Sequence, residues 1–275
     1  MGLQPEGHSY KIARQTWYWC FSCSAACELV SLRSRLVAIR RPIEGAIDWA
    51  FPADELTQLA NKYASDKGNR AFGRHYYTRI YHQLFTHLRH RPITLLEIGL
   101  LHPGDTRHAT SPSLRMWRDY FPNARLIGFD INDFSSVSLP NCRILQGDMS
   151  SREDLSQLFT LGPFDIVIDD ASHASPHQQI ALACLFPHVR PGGLYFIEDL
   201  NRQPFEMERA DVPQTRTLLR RKCFESPVIT SAEAQLLAAN VKSIQLFDSR
   251  DVYNLDKRDA LALLTKVVLP TARFG

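Results

Sequence analysis

FDIVIDDASH, from Phe164 to His173, and GLYFIED, from Gly193 to Asp199, are the two stretches that decide the fold. Each is a short apolar run that ends in two adjacent carboxylates, which is typical of strands buried on both faces of a parallel sheet. Residues Pro176 to Phe186 lie between them and carry a helical apolar pattern. The sequence therefore predicts a strand–helix–strand crossover in which both acidic ends open on one edge.

Four carboxylates and a histidine are expected at that edge: Asp169, Asp170, His173, Glu198 and Asp199. Open α/β sheets bind ligands at the carboxyl ends of their strands, and gathered acids are costly without a cation, a proton or a substrate. Asp169 or Asp170 could instead cap the following helix, but a cap needs only one acid. The set favours a metal site.

Strands and helices alternate from residue 54 onward, which predicts an α/β fold with a doubly wound, mainly parallel sheet. The other expected strands are Thr94–Gly99, Leu126–Asp130, Cys142–Gln146, Ser243–Phe247 and a last edge strand at Val252–Leu255. The polar segment 201–226 is too long for a simple connection and is predicted to be a substrate lid. Residues 1–53 are predicted to form a separate helical extension, and 54–275 a single domain.

Composition narrows the classes of function. A net charge of +3 with scattered basic residues indicates no nucleic-acid partner, and no apolar run is as long as a membrane span requires. Cys20, Cys23 and Cys27 could form a metal site, but a fourth ligand is missing and one face of a packed helix explains them better. Reduced thiols fit a cytoplasmic protein.

Three successive strands each end in an acid. Glu97 and Gly99 end the first, and the glycine lets a ligand approach the backbone closely. Asp130 ends the second, where an acid accepts hydrogen bonds from a ribose, and Asp148 follows the third, where it can meet an adenine amino group. The spacing of Gly99 and Gly104 does not match the phosphate-binding pattern of dinucleotide sites. S-adenosylmethionine, which has a ribose, an adenine and an amino acid but no phosphate, fits better.

Specific motifs are spread over residues 56–200: LANKYASDK at 59–67, LLEIG at 95–99, SLRMW at 113–117, QGD at 146–148, the run at 164–173, LFPHVRPGGL at 185–194 and IEDL at 197–200. With them the chain resembles the metal-dependent sugar O-methyltransferases of antibiotic tailoring, the group that modifies mycinamicin and rhamnosyl-tetracenomycin. One departure is the stretch from Leu100 to Thr110, which replaces the family's glycine-rich loop.

The resemblance implies a Rossmann-like class I methyltransferase domain over residues 54–275, with S-adenosylmethionine and Mg²⁺ as cofactors. It implies that Asp170, Glu198 and Asp199 bind the metal, that His173 is the general base beside Asp170, and that Glu97, Ser113, Asp130 and Asp148 bind the cofactor. We also assign Gly99 and Asp169 to the cofactor site. Family members are usually multimeric, so a homo-oligomer is expected.

The expected reaction is transfer of a methyl group to a sugar hydroxyl of a small-molecule glycoside. A bound divalent ion lowers the pKa of an alcohol, and a vicinal diol would fill the ligand positions that three carboxylates leave open. His173 can remove the proton near neutral pH. Two alternatives are an oxygenase like the cephalosporin hydroxylases, which resemble the same motif set, and a catalytically degenerate S-adenosylmethionine-binding subunit.

Overall fold

The computed structural model describes residues 53–70, 75–100, 110–248 and 260–268. Its strands are β1 (Thr94–Ile98), β2 (Arg125–Asp130), β3 (Cys142–Gln146), β4 (Phe164–Asp169), β5 (Val189–Ile197), β6 (Val241–Asp248) and β7 (Ala260–Lys266). They form one sheet in the order β3-β2-β1-β4-β5-β7-β6, parallel except that β7 runs antiparallel to β5 and β6. The predicted α/β fold with a mainly parallel sheet is confirmed.

Helices cover both faces of the sheet. They are α1 (Glu55–Tyr63), α2 (Tyr77–Phe85), α3 (Pro112–Tyr120), α4 (Arg152–Ser156), α5 (Ser175–Leu185), α6 (Thr215–Arg221) and α7 (Ser231–Asn240). Helices α1 to α3 contribute to the core on one face, and α4 to α7 to the core on the other. Strand β4 supplies Ile166 and Ile168 to the first core and Val167 to the second. Burial on both faces explains why residues 166–168 of this strand are all apolar.

Aromatic packing fixes α2 over the end of β5. Tyr81 meets Phe196 edge to face, with ring centroids 5.0 Å apart, and Phe85 meets Trp117 of α3 at 6.0 Å. Such pairs contribute roughly 0.5–1.5 kcal/mol each beyond their buried area. This packing brings the hydroxyl groups of α2 tyrosines to the acidic edge of the sheet.

Two predictions for the C-terminal third need correction. The sequence suggested no strand at Ala260–Lys266, yet β7 lies there between β5 and β6. The segment 201–226 is not simply a lid, because α6 lies within it and Leu218, Leu219 and Phe224 are buried in the core. The last part of this segment, from α6 onward, is therefore packed into the folded domain.

Several predictions fall outside the described residues. They are the helical extension over residues 1–52, the three cysteines at 20, 23 and 27, the loop 101–109 with Gly104, and the edge strand at 252–255. Cys142, Cys184 and Cys223 are free thiols. Among the described helices, none is both long and apolar enough to cross a membrane.

Candidate active site

The acidic ends of β4 and β5 lie side by side. The strands are parallel neighbours with Asp169 in register with Ile197, so Asp170 and Glu198–Asp199 leave the sheet at the same edge. Gly99 belongs to this edge, because a Cβ atom there would lie 2.3 Å from the carbonyl oxygen of Asp170. Its φ of +88° also favours glycine. The expectation that the two strands are neighbours is confirmed.

His173 and Asp199 lie in turns with a left-handed backbone, at φ of 59° and 54°. This conformation costs roughly 1–2 kcal/mol for most residues, and such strain clusters at functional sites. His173 Nε2 lies 3.7 Å from Asp199 Oδ2. With Asp170, these two residues offer ligand atoms that all lie within 4.8 Å of one another. Two carboxylates and an imidazole this close can share a cation or a proton.

Asp199 is buried among positive and hydrogen-bonding groups. The Tyr77 hydroxyl donates to its Oδ1 at 2.8 Å, and His75 Nδ1 lies 3.6 Å from the same oxygen. Arg202 lies 3.8 Å from Oδ2. Burial acts to raise the pKa of Asp199, but His75, His173 and the Tyr77 hydroxyl together lower it. Asp199 is therefore kept ionised, which is the state that binds a cation.

Glu198, the neighbouring acid, faces a different partner. Lys67 Nζ lies 3.0 Å from both carboxylate oxygens of Glu198 and 3.6 Å from Glu97 Oε1, and it also contacts Asp170. The Tyr81 hydroxyl donates to Glu198 Oε1 at 2.5 Å. Burial acts to lower the pKa of Lys67, but the three acids raise it well above its usual value. Lys67 is a charged ammonium at the centre of the edge.

The three acids predicted to bind a metal are thus divided. Asp170 and Asp199 converge with His173, whereas Glu198 is held by Lys67 and Tyr81. From the sequence alone, Lys67 could equally form a salt bridge or contact the substrate, and Tyr81 lies on the apolar face of its helix. The capping alternative for Asp169 and Asp170 is wrong, since the residue that precedes α5 is Ala174 and the first N–H of the helix, that of Ser175, donates to the Glu208 side chain.

A cavity of about 390 Å³ opens beside this group. Its lining includes three residues predicted to bind the cofactor, Gly99, Asp130 and Asp148, together with Asp170, and its apolar lining residues include Phe129, Ile131, Met149 and Met207. Asp130 accepts the Leu100 N–H at 2.7 Å, which ties the end of β2 to the residue after Gly99. Asp170 belongs both to the cavity lining and to the group with His173 and Asp199.

Glu97, Ser113 and Asp169 are not among the residues that line this cavity. The Ser113 hydroxyl donates to Glu97 Oε2 at 2.8 Å. Burial raises the pKa of Glu97 to about 7, although Lys67 and Ser113 act to lower it. Burial also raises the pKa of Asp169 to about 7. Sequence reasoning missed the polar pair in the cavity wall, Ser172 Oγ and His177 Nδ1 at 2.9 Å, although both follow the β4 acids closely.

Comparisons with known proteins agree with the resemblance seen in the motifs. The chain is 42% identical over 150 residues to mycinamicin VI 2''-O-methyltransferase of Micromonospora griseorubida, covering 53% of this chain and 36% of that protein. It is 41% identical over 149 residues to a rhamnosyl-tetracenomycin-C 3'-O-methyltransferase of Streptomyces olivaceus, covering 53% and 37%. No family model matches. The chain spans little more than a third of the length of these curated relatives.

A solved structure supports the same likeness. The MycE methyltransferase of the mycinamycin pathway, in complex with Mg, SAH and mycinamycin VI, matches with a TM-score of 0.62 and 30% identity. The match covers 80% of this chain and 58% of that one. The sheet and helices described above therefore have the Rossmann-like fold of that methyltransferase, and the predicted resemblance to sugar O-methyltransferases is confirmed.

Proposed function

We propose that this chain is a magnesium-dependent O-methyltransferase that transfers the methyl group of S-adenosylmethionine to a sugar hydroxyl of a small-molecule glycoside. The observation that carries the proposal is the shared position of Asp170, which lines the cavity and also joins His173 and Asp199 in one group. A donor in the cavity and an acceptor at this group would meet there. The relatives described above act on glycosides of natural products, which supports the substrate class.

The donor set fits a hard divalent ion. Asp170 and Asp199 would bind magnesium, which prefers oxygen ligands and keeps positions for water or substrate. When bound, the ion would lower the pKa of the acceptor hydroxyl. Glu198, the third predicted ligand, would join only by giving up its contacts with Lys67. Asp199 meanwhile stays ionised because His75, His173 and Tyr77 favour its charged form.

His173 is the proposed general base. Its Nε2 lies 3.7 Å from Asp199, so the carboxylate can orient the ring and stabilise the imidazolium that forms when the ring takes a proton. General-base catalysis of this kind contributes typically about 10²–10⁴-fold.

The cavity would hold the cofactor. Asp130 and Asp148 are the acids proposed for the ribose and the adenine amino group, and Gly99 allows the close approach of the ligand to the backbone. Glu97, Ser113 and Asp169 are also proposed for the cofactor site, although they do not line the cavity. We further propose a cytoplasmic location, where thiols such as Cys142 stay reduced, and a homo-oligomeric assembly, which size-exclusion chromatography would test.

Incubation with S-adenosylmethionine labelled in its methyl group tests the proposal. The acceptors are a panel of rhamnosides and deoxysugar glycosides, each assayed with and without a chelator and in the absence of oxygen. We expect label in at least one glycoside, lost with the chelator and restored by magnesium. A reaction that requires oxygen would favour the oxygenase alternative. Calorimetry that detects no binding of S-adenosylmethionine, with or without magnesium, would favour the degenerate subunit.

A further inference from the structure

A buried ammonium group lies at the centre of the acidic edge and has no role in the reaction proposed above. The Lys67 side chain is 1% exposed. Its Nζ is within 3.6 Å of acids that belong to the ends of β1, β4 and β5: Glu97, Asp170 and Glu198. One buried positive charge therefore faces three carboxylates, of which Glu97 and Glu198 are buried and Asp170 is 19% exposed.

The backbone of Lys67 is anchored to its surroundings. The Thr78 N–H at the start of α2 donates to the Lys67 carbonyl at 3.1 Å. The Lys67 N–H donates to the Ser65 hydroxyl at 3.4 Å. Buried acids are costly unless a cation lies beside them. Lys67 supplies that cation from a fixed point between α1 and α2.

The acids differ in the cationic groups beside them. Asp199 lies 3.7 Å from His173, whereas both carboxylate oxygens of Glu198 lie 3.0 Å from Lys67 Nζ. Asp170 is shared, because it contacts Lys67 and also belongs to the group with His173 and Asp199. A dication that recruits Asp170 and Glu198 must therefore compete with an existing ion pair.

We propose that Lys67 is the resident counter-ion of the metal-free acidic edge, and that a divalent cation binds by displacing its ammonium from Asp170 and Glu198. The inference rests on the magnesium-dependent function proposed above. Lys67 is a positioning residue in this scheme, since it sets the metal affinity and the orientation of Glu198 without touching the substrate. Magnesium is then bound more weakly than the three acids alone would bind it.

Calorimetric titration of the chelator-treated full chain with MgCl₂ tests this competition. In Lys67→Met the charge is lost and the length of the side chain is kept, so we expect the Kd for magnesium to fall by about tenfold or more, because a like charge beside the dication is removed. Lys67→Arg keeps the charge and should bind magnesium much as the wild type does. The matched control is Lys62→Met: Lys62 pairs with Asp119 at 2.9 Å, its side chain is 58% exposed, and the Kd for magnesium should not change.

Thermal unfolding is a second measurement, and it distinguishes a counter-ion that magnesium displaces from a lysine with a purely structural role. In EDTA, Lys67→Met should have a lower Tm than the wild type, because three acids have lost their cation. Saturating magnesium should raise the Tm of the variant by more than it raises that of the wild type. Equal losses of Tm with and without magnesium would overturn the inference.

The remaining outcomes are also decisive. Wild-type binding of magnesium with an unchanged Kd in Lys67→Met would overturn the inference and leave the proposed function standing. If the wild type binds no magnesium, both the metal-dependent function and the inference fail. If Lys67→Met is unfolded in EDTA, circular dichroism during a magnesium titration decides: recovery of folded protein supports the exchange of cations, and its failure at millimolar magnesium overturns it.

Discussion

Both ends of β4 carry aspartates, but the surroundings of these aspartates differ. Asp165, near the start, is 7% exposed and has one hydrogen-bond donor and one cation beside it. The Thr94 N–H donates to its Oδ2 at 2.8 Å, and Arg190 Nη1 lies 2.5 Å from its Oδ1. This acid joins β1, β4 and β5 at one edge of the sheet and is fully explained by architecture.

The acids at the other end of β4 are not explained in that way. Asp169 is 1% exposed, and burial raises its pKa to about 7 although the Ala171 N–H acts to lower it. Asp170 shares one ammonium with Glu198 and Glu97. Buried acids whose charge is unfavourable in the folded protein are candidates for a functional role, whereas buried acids with hydrogen-bond and ionic partners are expected to stabilise the fold. Substitutions at the two ends should therefore affect different measurements.

The largest effect is expected for Asp199→Asn. Asparagine tolerates the left-handed backbone at this position, so the fold should persist. A metal ion supplies several kcal/mol of catalysis, and loss of one of its carboxylates should lower kcat by about 10³-fold or more. Rates with labelled S-adenosylmethionine and an accepted glycoside give the measurement. Asp211→Asn, an exposed acid paired with Arg209, is the control and should keep full activity.

His173→Asn should have the next largest effect on turnover. It removes the proposed base but keeps a side chain that suits a φ of 59°. The rate should fall by about 10²–10⁴-fold, while calorimetry detects unchanged binding of S-adenosylmethionine. A variant with wild-type kcat would refute the assigned base and leave the metal site as the main source of catalysis.

Asp165→Ala tests the opposite end of the strand. The Thr94 N–H loses its acceptor, which should lower the free energy of unfolding by about 1–3 kcal/mol. Arg190 is 46% exposed, so its guanidinium can turn to water and adds little to the loss. Urea denaturation measures the change, and kcat should match the wild type. A large loss of activity without a loss of stability would contradict the division drawn between the two ends.

The sequence predicted most of the sheet because its signals are local. The run at 164–169 is apolar apart from Asp165 and its last residue, Asp169, and the helix at Glu55–Tyr63 has an Asp54 cap and an αL residue at its end. Strand β7 was missed because Ala and Leu, which dominate Ala260–Leu264, favour helices. Its position between β5 and β6 comes from tertiary packing, which overrides that preference.

The candidate site was predictable only in part, for a related reason. Acids at strand ends could be placed on one edge because parallel register follows from the crossover. The direction of each side chain could not be predicted, because it depends on partners that are distant in sequence: Lys67 and Glu198 are 131 positions apart. Tyr81 likewise has an apolar helical spacing, and nothing local indicates that its hydroxyl meets Glu198. Contacts between remote segments decide which acids converge.

The smallest expected effect concerns Asp119, an acid with complete partners at the surface. Tyr63 donates to it, Lys62 Nζ lies 2.9 Å from Oδ2, and Arg118 donates to Oδ1 at 2.7 Å. Burial acts to raise the pKa of Asp119, but these three partners lower it to about 2 from its usual 3.8. A depressed carboxyl pKa stabilises the fold above the unfolded value, and this stability is lost as the pH falls from about 4 toward 2.

Asp119→Asn should therefore lower the free energy of unfolding at pH 7 by about 1 kcal/mol, a figure reduced because the side chain is 25% exposed and solvent screens its ion pairs. Urea denaturation between pH 7 and pH 2 measures it. The gap between variant and wild type should close as the pH falls below 4, because protonation removes from the wild type the charge that the variant lacks. A gap that stays constant across this range would mean that neutral hydrogen bonds, rather than charge, join α1 to α3. Asp119 would then stabilise the fold without its charge, unlike the acids at the end of β4, whose proposed role depends on charge.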